Sequence, residues 1–503
     1  MPLAVLASRA LLGLEAPAVQ VEVHLSGGLP AFSIVGLPEA EVREARERVR
    51  SALLNSSLPF PSSRRIVVNL APADLPKESG RFDLPIALGL LAAQGAIDPA
   101  RLSGHEFAGE LSLSGELRPV RGALAMACAA GCDSALRFVL PLASAREAAL
   151  AAPDAVLGAQ HLNDVVAYLG GQIQAQALRV TVPVATPPAL ADLADVRGQA
   201  LARRALEIAA AGGHHLLLVG PPGSGKTMLA QRLPGLLPEL TRQQALQSAA
   251  MLSLAGSFQP AQWGVRCLRS PHHGCSPAAL LGGLAAGGVR PGEVSLAHHG
   301  VLFLDELPEF DRRALEGLRE PLESSRVHLA RAAHRAELPA RFQLVAAMNP
   351  CPCGHLGDPT RPCRCTPAQV ARYRARLSGP LLDRIDLRVE VAALAPAELL
   401  ELPAGEASAV VAGRVRLAAD RQQQRQGAPN SALDGQPLQQ HCCLDSESRN
   451  WLAGALARVG ASARATHRVL RVARTIADLG DCGPLARRHL AEALQLRRAL
   501  DRP

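Results

Sequence analysis

At 503 residues the chain is too long for one ordinary hydrophobic core, so two to four domains are expected, each large enough to fold without disulfide staples. Its net charge of +8 is spread thinly, which permits a polyanionic partner without specifying one. No window reaches the roughly 18 uninterrupted apolar residues of a membrane span, and the opening MPLAVLASRALLGLE is broken by Arg9 and Glu15 without a cleavage-like end, which predicts a cytoplasmic protein with no membrane segment.

In residues 1–172, short β-type runs (VQVEVHLS, AFSIVGL, RRIVVNLA, HEFAGELSLSG, RFVLPLA) alternate with helical stretches from Glu39 to Asn55 and from Leu84 to Gln94. This is the pattern of an α/β or α+β domain. Residues 173–190 contain three prolines and no acidic side chain, as suits an extended linker. From about Ala191 to residue 395, the apolar runs LLLVG, VLFLDEL and FQLVAAMN are separated by helical segments. Such runs, apolar on both faces, predict a parallel sheet with crossover helices. Residues 396–503 turn helical, interrupted by the polar stretch from Gln422 to Gln440, and predict a helical lid.

Of the 53 basic side chains only two are lysines, Lys77 and Lys226. Lys226 stands in GPPGSGKT, comprising Gly220, Pro221, Pro222, Gly223, Ser224, Gly225, Lys226 and Thr227, between a strand-like run and a helical one. Glycines there let backbone N–H groups converge on phosphates, the lysine neutralises β/γ oxygens and Thr227 ligates Mg²⁺, which together predict an ATP site. The second run, VLFLDE, ends in Asp305, placed to hold Mg²⁺, and Glu306, placed to polarise the attacking water. The third delivers Asn349, an amide able to orient that water. Arg384 in SGPLLDRIDL and Arg464 in SARATHRVLRVART are candidate cations for the leaving phosphates.

Eleven cysteines in a chain without a secretory signal argue against a disulfide scaffold. Four of them, Cys351, Cys353, Cys363 and Cys365, form two C-x-C pairs, the second closing the stretch HLGDPTRPCRC. Their sulfurs could converge on Zn²⁺, although structural sites usually use the wider C-x₂₋₄-C spacing; free thiols or an oxidation disulfide are the rivals. His272 and His273 in SPHHG are further ligand candidates, with a loop role as the alternative.

Together these stretches resemble an AAA+ ATPase of the magnesium-chelatase-like branch that includes the YifB/ComM proteins. The resemblance extends to GLPAFSIVGLPEAEVREARERVRSAL, NLAPADLPKESGRFDLPIALGLLAAQG, RSPHHGCSPAALLGG, RPGEVSLAHHGVLFLDELPEF and MNPCPCG. It implies an AAA+ P-loop α/β core with a Lon-protease-like N-terminal domain and a C-terminal helical lid. Asp305 and Glu306 would then be Walker B, Asn349 sensor 1, Arg384 a finger reaching the neighbouring subunit and Arg464 sensor 2, in a homo-hexamer. Leu280 to His299 resembles the helix-2 insertion, and Ser325 to Pro339 the pre-sensor hairpin; in related helicases such loops touch DNA. Candidate backbone contacts are Arg290, His298, His299, Arg331 and Arg335. With thirteen Phe, Trp and Tyr in the chain, binding should be largely electrostatic and weakly sequence-selective.

A Lon-type protease needs a serine shortly after a PKDG-like turn and a lysine downstream. Here Pro76–Lys77 is followed by Arg81, Phe82 or Asp83 near the nucleophile position, Ser79 comes too early, and Met126 stands where the lysine should be. The resemblance therefore implies a non-proteolytic platform, with Lys77 a structural or DNA-contacting relic. The expected function is an ATP-dependent DNA motor, a branch-migration helicase supporting integration of DNA in natural transformation, with recombination proteins as partners. The alternative is a protein-remodelling or metal-insertion ATPase.

Overall fold

The computed structural model describes residues 3–131, 136–182, 186, 188–285, 288–331, 334–358, 361–394, 401–458, 462–480 and 483–499. Period-two alternation builds the first unit. In Ala18–Ser26, Val19, Val21, Val23 and Leu25 are buried while Ala18, Gln20 and His24 face out. This strand sits inside a seven-stranded mixed sheet ordered Ala31–Val35, Arg65–Ala71, Ala18–Ser26, Leu3–Arg9, His105–Phe107, Arg137–Pro141 and Val156–Ala159. The helix Asp83–Ala93 is apolar all round and buried along nearly its whole length against that sheet.

The connection begins later than the composition implied. Leu178 belongs to the first unit's core, Arg179 bridges Leu157, and Val180 packs on the second cluster of that unit. Only beyond Val180 is the described chain extended, without helix or strand.

Five parallel strands form the second sheet, in the order Leu268–Arg269, Val301–Leu304, Gln343–Met348, Leu216–Val219 and Leu387–Glu390. Both faces are buried, which is why the three central runs are apolar without alternation. Leu216, Leu218, Phe303 and Val345 face the lid, whereas Leu217, Leu302, Leu304 and Ala346 face the helices and hairpins on the other side. The lid helices Ser408–Gln426, Ala463–Leu479 and Arg487–Gln495 share the first of these cores.

Charged pins fix the lid to the sheet. Asp386, 2% exposed, accepts from Arg468 Nη1 at 2.7 Å and from the His215 N–H at 3.2 Å. Burial alone would raise its carboxyl, but His214 and Arg468 outweigh burial and hold it well below the usual carboxylate range. Asp478 binds Arg425 through both carboxylate oxygens, at 2.7 and 2.8 Å, and also takes Arg474 and Asn430.

The N-terminal unit is joined to the core through the helix Arg242–Leu254. Leu124 and Ala125 pack against Ala249 and Ala250, and the Gly122 N–H donates to Ser253 O at 3.1 Å. Ser253 Oγ donates to Glu147 Oε1 at 2.9 Å.

Lys77 makes no contact available to DNA. It is fully buried, and its Nζ donates to the Pro72 carbonyl, so it is a structural residue of this unit. Of Arg81, Phe82 and Asp83, the three residues near the expected nucleophile position, Arg81 meets Met126: its Nη1 lies 3.6 Å from Met126 Sδ and its Nε donates to Ser79 Oγ at 2.9 Å. An arginine and a thioether occupy that locus, and neither is a base or a nucleophile for peptide cleavage.

The Glu147 joint makes stability pH-dependent. Burial, partly offset by the Ser253 hydroxyl, pushes its carboxyl up to about 7 from 4.5. The unfolded chain therefore loses this proton first, and stability should fall as pH rises through that interval and level off above about 7. Glu147→Gln should flatten this slope, so that thermal unfolding of the variant exceeds wild type by a few degrees at pH 8 and matches it near pH 4.5.

Candidate functional site

The strand Leu216–Val219 is flanked on both sides, and its end points the phosphate loop at the edge where Asp305 and Asn349 also emerge. Register explains the convergence: Val219 pairs with Met348, and Leu304 with Ala346. Gly220 is required by proximity, since a Cβ there would stand 2.2 Å from Val391 O. Helix Lys226–Arg232 then begins at the lysine itself.

Lys226 Nζ donates to Gly220 O at 2.8 Å, Pro221 O at 2.9 Å and Asn349 Oδ1 at 3.3 Å. Burial lowers its pKa, opposed by Asp305 and Glu306. Thr227 Oγ1 donates to Asp305 Oδ2 at 2.9 Å. Glu306 follows in a left-handed backbone conformation, φ 53°, which costs strain in a non-glycine residue and turns its exposed carboxylate outward. Its Oε2 lies 3.1 Å from His273 Nδ1. The structure thus brings Lys226, Thr227, Asp305, Glu306 and Asn349 together.

A nucleoside triphosphate with Mg²⁺ fits this donor set. Lys226 supplies an ammonium for phosphate oxygens, and Thr227 and Asp305 supply hard oxygens for the cation. Ser224 Oγ is buried without a partner among the described residues, as expected of a group facing a ligand. Beside the loop, a cleft lined by Ala200, Leu394, Leu402 and Pro403, and also by Gln199 and Arg203, suits a flat heterocycle. Gln199 Nε2 ties it to the loop by donating to Ser224 O at 3.3 Å and Ala392 O at 2.7 Å. Gln199 carries no signal in the sequence, since a glutamine in VRGQ has none of its own, and His273, a ligand candidate from its sequence, instead faces Glu306.

Arg384 stands at the other end of the sheet. The N–H groups of Asp386 and Leu387 both take His215 O, five residues before Gly220, so about 16 Å of strand rise separates Arg384's end from the phosphate loop. Its guanidinium is 6% exposed as a residue and pairs with Glu323. Arg468 Nη1 donates to Arg384 O at 2.9 Å, which fastens the helix Ala463–Leu479 to this same end. Arg464 is exposed one turn earlier and acts electrostatically on Glu323, after Arg384. Arg464 is therefore found at the Arg384 end of the sheet, through its electrostatic effect on Glu323, rather than at the phosphate loop of its own chain.

Two antiparallel hairpins project from the core, Gly282–Ala285 with Gly288–Pro291 and Arg326–Arg331 with His334–Pro339. They lie side by side, for a Cβ on Gly282 would be 3.5 Å from Leu329 Cδ1. Arg290 is exposed on the first. Arg331 and Arg335 lie in the second hairpin near its end, where side chains and residues 332–333 are outside the described residues.

His298 and His299 are corrections to the expected DNA contacts. Both are buried, at 5% and 8% exposure; His298 Nδ1 accepts from the Arg341 N–H at 3.0 Å, and His299 Nε2 meets Gln247 Oε1 at 2.7 Å. Burial, reinforced by Arg341, pushes them down to about 3 and about 4, so both are neutral and neither offers a cation to phosphate. The four clustered cysteines do converge, with all sulfurs within 4.8 Å of one another.

Three family descriptions match consecutive parts of the chain: subunit ChlI of Mg-chelatase over residues 21–144, magnesium chelatase subunit ChlI over 192–399, and its C-terminal region over 405–497. YifB of Escherichia coli strain K12 is 50% identical over 506 residues, covering 100% of this chain and 98% of its own. YifB of Salmonella typhimurium is 49% identical with the same coverage. The competence protein ComM of Haemophilus influenzae is 47% identical, covering 99% of this chain and 98% of its own. The mixed α/β structure, with its parallel sheet and helical C-terminal region, fits a magnesium-chelatase-like AAA+ fold, and the full-length identity shows that the chain belongs to the YifB/ComM family of magnesium-chelatase-like proteins.

Proposed function

We propose that the protein hydrolyses ATP with Mg²⁺, works as a homo-hexameric ring and couples turnover to movement along single-stranded or branched DNA. The convergence of Lys226, Thr227, Asp305, Glu306 and Asn349 at one sheet edge carries the hydrolytic part. Thr227 and Asp305 would hold the cation, which supplies positive charge to the phosphate oxygens. Lys226 neutralises the β/γ oxygens, exchanging its present carbonyl partners for them. Glu306 accepts a proton from the attacking water, His273 orients that carboxylate, and Asn349 fixes the water's position. Cys351, Cys353, Cys363 and Cys365 hold a zinc ion in this reading.

Arg384's distance from its own phosphate loop supports the ring, because a cation so placed serves a neighbour's site better than its own. Glu323 engages it until a neighbour docks. DNA is supported by the two adjacent hairpins with Arg290, Arg331 and Arg335, and by the competence protein among the relatives. On this reading the cellular task is branch migration during integration of incoming DNA, alongside recombination proteins. The N-terminal unit is a non-proteolytic, Lon-like platform, consistent with Arg81 facing Met126. The magnesium chelatase descriptions favour a second reading, an ATPase for metal insertion or protein remodelling, which predicts no response to DNA.

Lys226→Ala should abolish hydrolysis, while Glu306→Gln should retain ATP binding and accumulate rings by light scattering; normal turnover by the Glu306 variant would remove the assignment. ATPase rate at low salt should rise several-fold with single-stranded or four-way-junction DNA and lose that stimulation as salt increases. A flat response at low salt rejects the DNA motor. Arg384→Ala should cost on the order of 10³ in turnover with nucleotide binding retained. Mixing it with Lys226→Ala subunits should restore part of the activity, since a mixed interface pairs an intact loop with an intact arginine; no recovery contradicts a finger supplied in trans.

A further inference from the structure

The chain leaving Asn349 stays against the nucleotide site. Cys351 Sγ lies 3.4 Å from Cys353 Sγ and 3.6 Å from Cys363 Sγ, and Cys353 Sγ lies 3.6 Å from Cys363 Sγ. Four thiolates held tetrahedrally at about 2.3 Å from a zinc ion stand roughly 3.8 Å apart, whereas a disulfide brings two sulfurs to about 2.05 Å. All four are free cysteines, and two backbone N–H groups already point at sulfur: Cys353 N to Cys365 Sγ and Cys365 N to Cys363 Sγ, both at 3.4 Å. Such donors stabilise thiolate ligands. The C-x-C spacing is therefore compatible with four-sulfur closure here, because the pairs approach from opposite ends of one loop.

That loop also touches the phosphate loop. Gly354, buried and at φ +83°, has no room for a side chain, since a Cβ would stand 2.6 Å from Pro222 Cδ. Just before it, Met348 O accepts from the Gly220 N–H at 3.2 Å and Asn349 Oδ1 from Lys226 Nζ at 3.3 Å. Immediately after Cys365, Thr366 caps the helix Pro367–Arg374, which delivers the buried Tyr373. Between Cys351 and Cys365 the described residues form no helix or strand, and of them only Cys351 and Gly354 are buried. Burial of its own side chains is too slight to order such a segment against its conformational entropy.

We infer that the four-thiol knuckle is a zinc-held splint for the phosphate loop, a metal site whose occupancy sets the protein's affinity for nucleotide. This rests on the zinc reading given above. Metal closure fixes the loop from Cys351 to Cys365, which holds Gly354 on Pro222 and Asn349 on Lys226. Without the ion the loop loosens, and Pro222 and Lys226 lose one wall of their support. The knuckle residues position the nucleotide site and do not touch the reacting atoms.

Purified full-length protein should carry about one zinc per chain by plasma mass spectrometry. Chelation, or Cys363→Ser combined with Cys365→Ser, should weaken binding of a fluorescent ATP analogue about tenfold and raise KM for ATP in step, while kcat at saturating ATP changes less than roughly twofold. Zinc alone should restore the chelated protein. Gly354→Ala keeps all four sulfurs and should weaken nucleotide binding at full zinc content. If zinc is bound and removable yet ATP affinity is unchanged on chelation and in Gly354→Ala, the splint is wrong and the zinc reading stands. If the protein neither carries zinc nor takes up added zinc, the zinc reading itself falls. Should the cysteine variant fail to fold, chelation and Gly354→Ala decide between these outcomes.

Discussion

Parallel pairing in register is the constraint on which the site depends. With Val219 beside Met348 and Leu304 beside Ala346, three strands end within two residues of each other, and whatever follows each strand emerges on the same rim. The sheet can maintain that register because both of its faces are sealed, one by the lid helices and one by the hairpin side. A slip of one residue would exchange the two faces and carry Asp305 and Asn349 away from Thr227 and Lys226. The buried pins at Asp386 and Asp478 thus contribute to chemistry at a distance, by holding the cover that holds the register. Removing one partner of such a buried pair typically costs about 3–5 kcal/mol, far more than an exposed pair contributes.

The two ends of this sheet divide the work. At the rim, positive charge from Lys226 faces the carboxylates of Asp305 and Glu306. At the opposite end Arg384 and Arg464 gather around Glu323, fastened through Arg468 to Arg384 O and Asp386. No single subunit presents both sets to one nucleotide in the described arrangement. In a ring of the kind proposed above, the helix Ala463–Leu479 would belong to a contact between subunits rather than to a cover over its own site.

Legibility from the sequence followed how local the deciding physics was. The phosphate loop and the three strand ends could be read because glycine spacing, a continuous apolar run and the terminal polar residue all lie within a dozen positions. The alternating runs of the N-terminal sheet were equally local. Leu3–Arg9 was harder: outward Leu3 and Val5 blur its alternation, and its burial is set by partners at Ala18–Ser26 and His105–Phe107. His298 and His299 looked like solvent-facing cations after a turn, but the segment bearing Arg341 closes over them from more than forty residues away. Lys77 was ambiguous on other grounds: its acceptor, the Pro72 carbonyl, lies just across a turn, but nothing in the local pattern shows that the side chain is buried. The pairing of His273 with Glu306 depends on two loops that the sequence separates by thirty-three positions, and no periodicity encodes it.

The helix Arg242–Leu254 lies against the hairpin strand Gly288–Pro291, and its C-terminal half is bound to the N-terminal unit through Ala249, Ala250 and Ser253. Because of these contacts, a shift of this helix relative to the N-terminal unit has to break the Gly122–Ser253 and Ser253–Glu147 hydrogen bonds or move that unit with it. Packing of Leu124 and Ala125 on Ala249 and Ala250 therefore sets how freely this helix can shift, and ties the hairpin side of the core mechanically to the N-terminal unit.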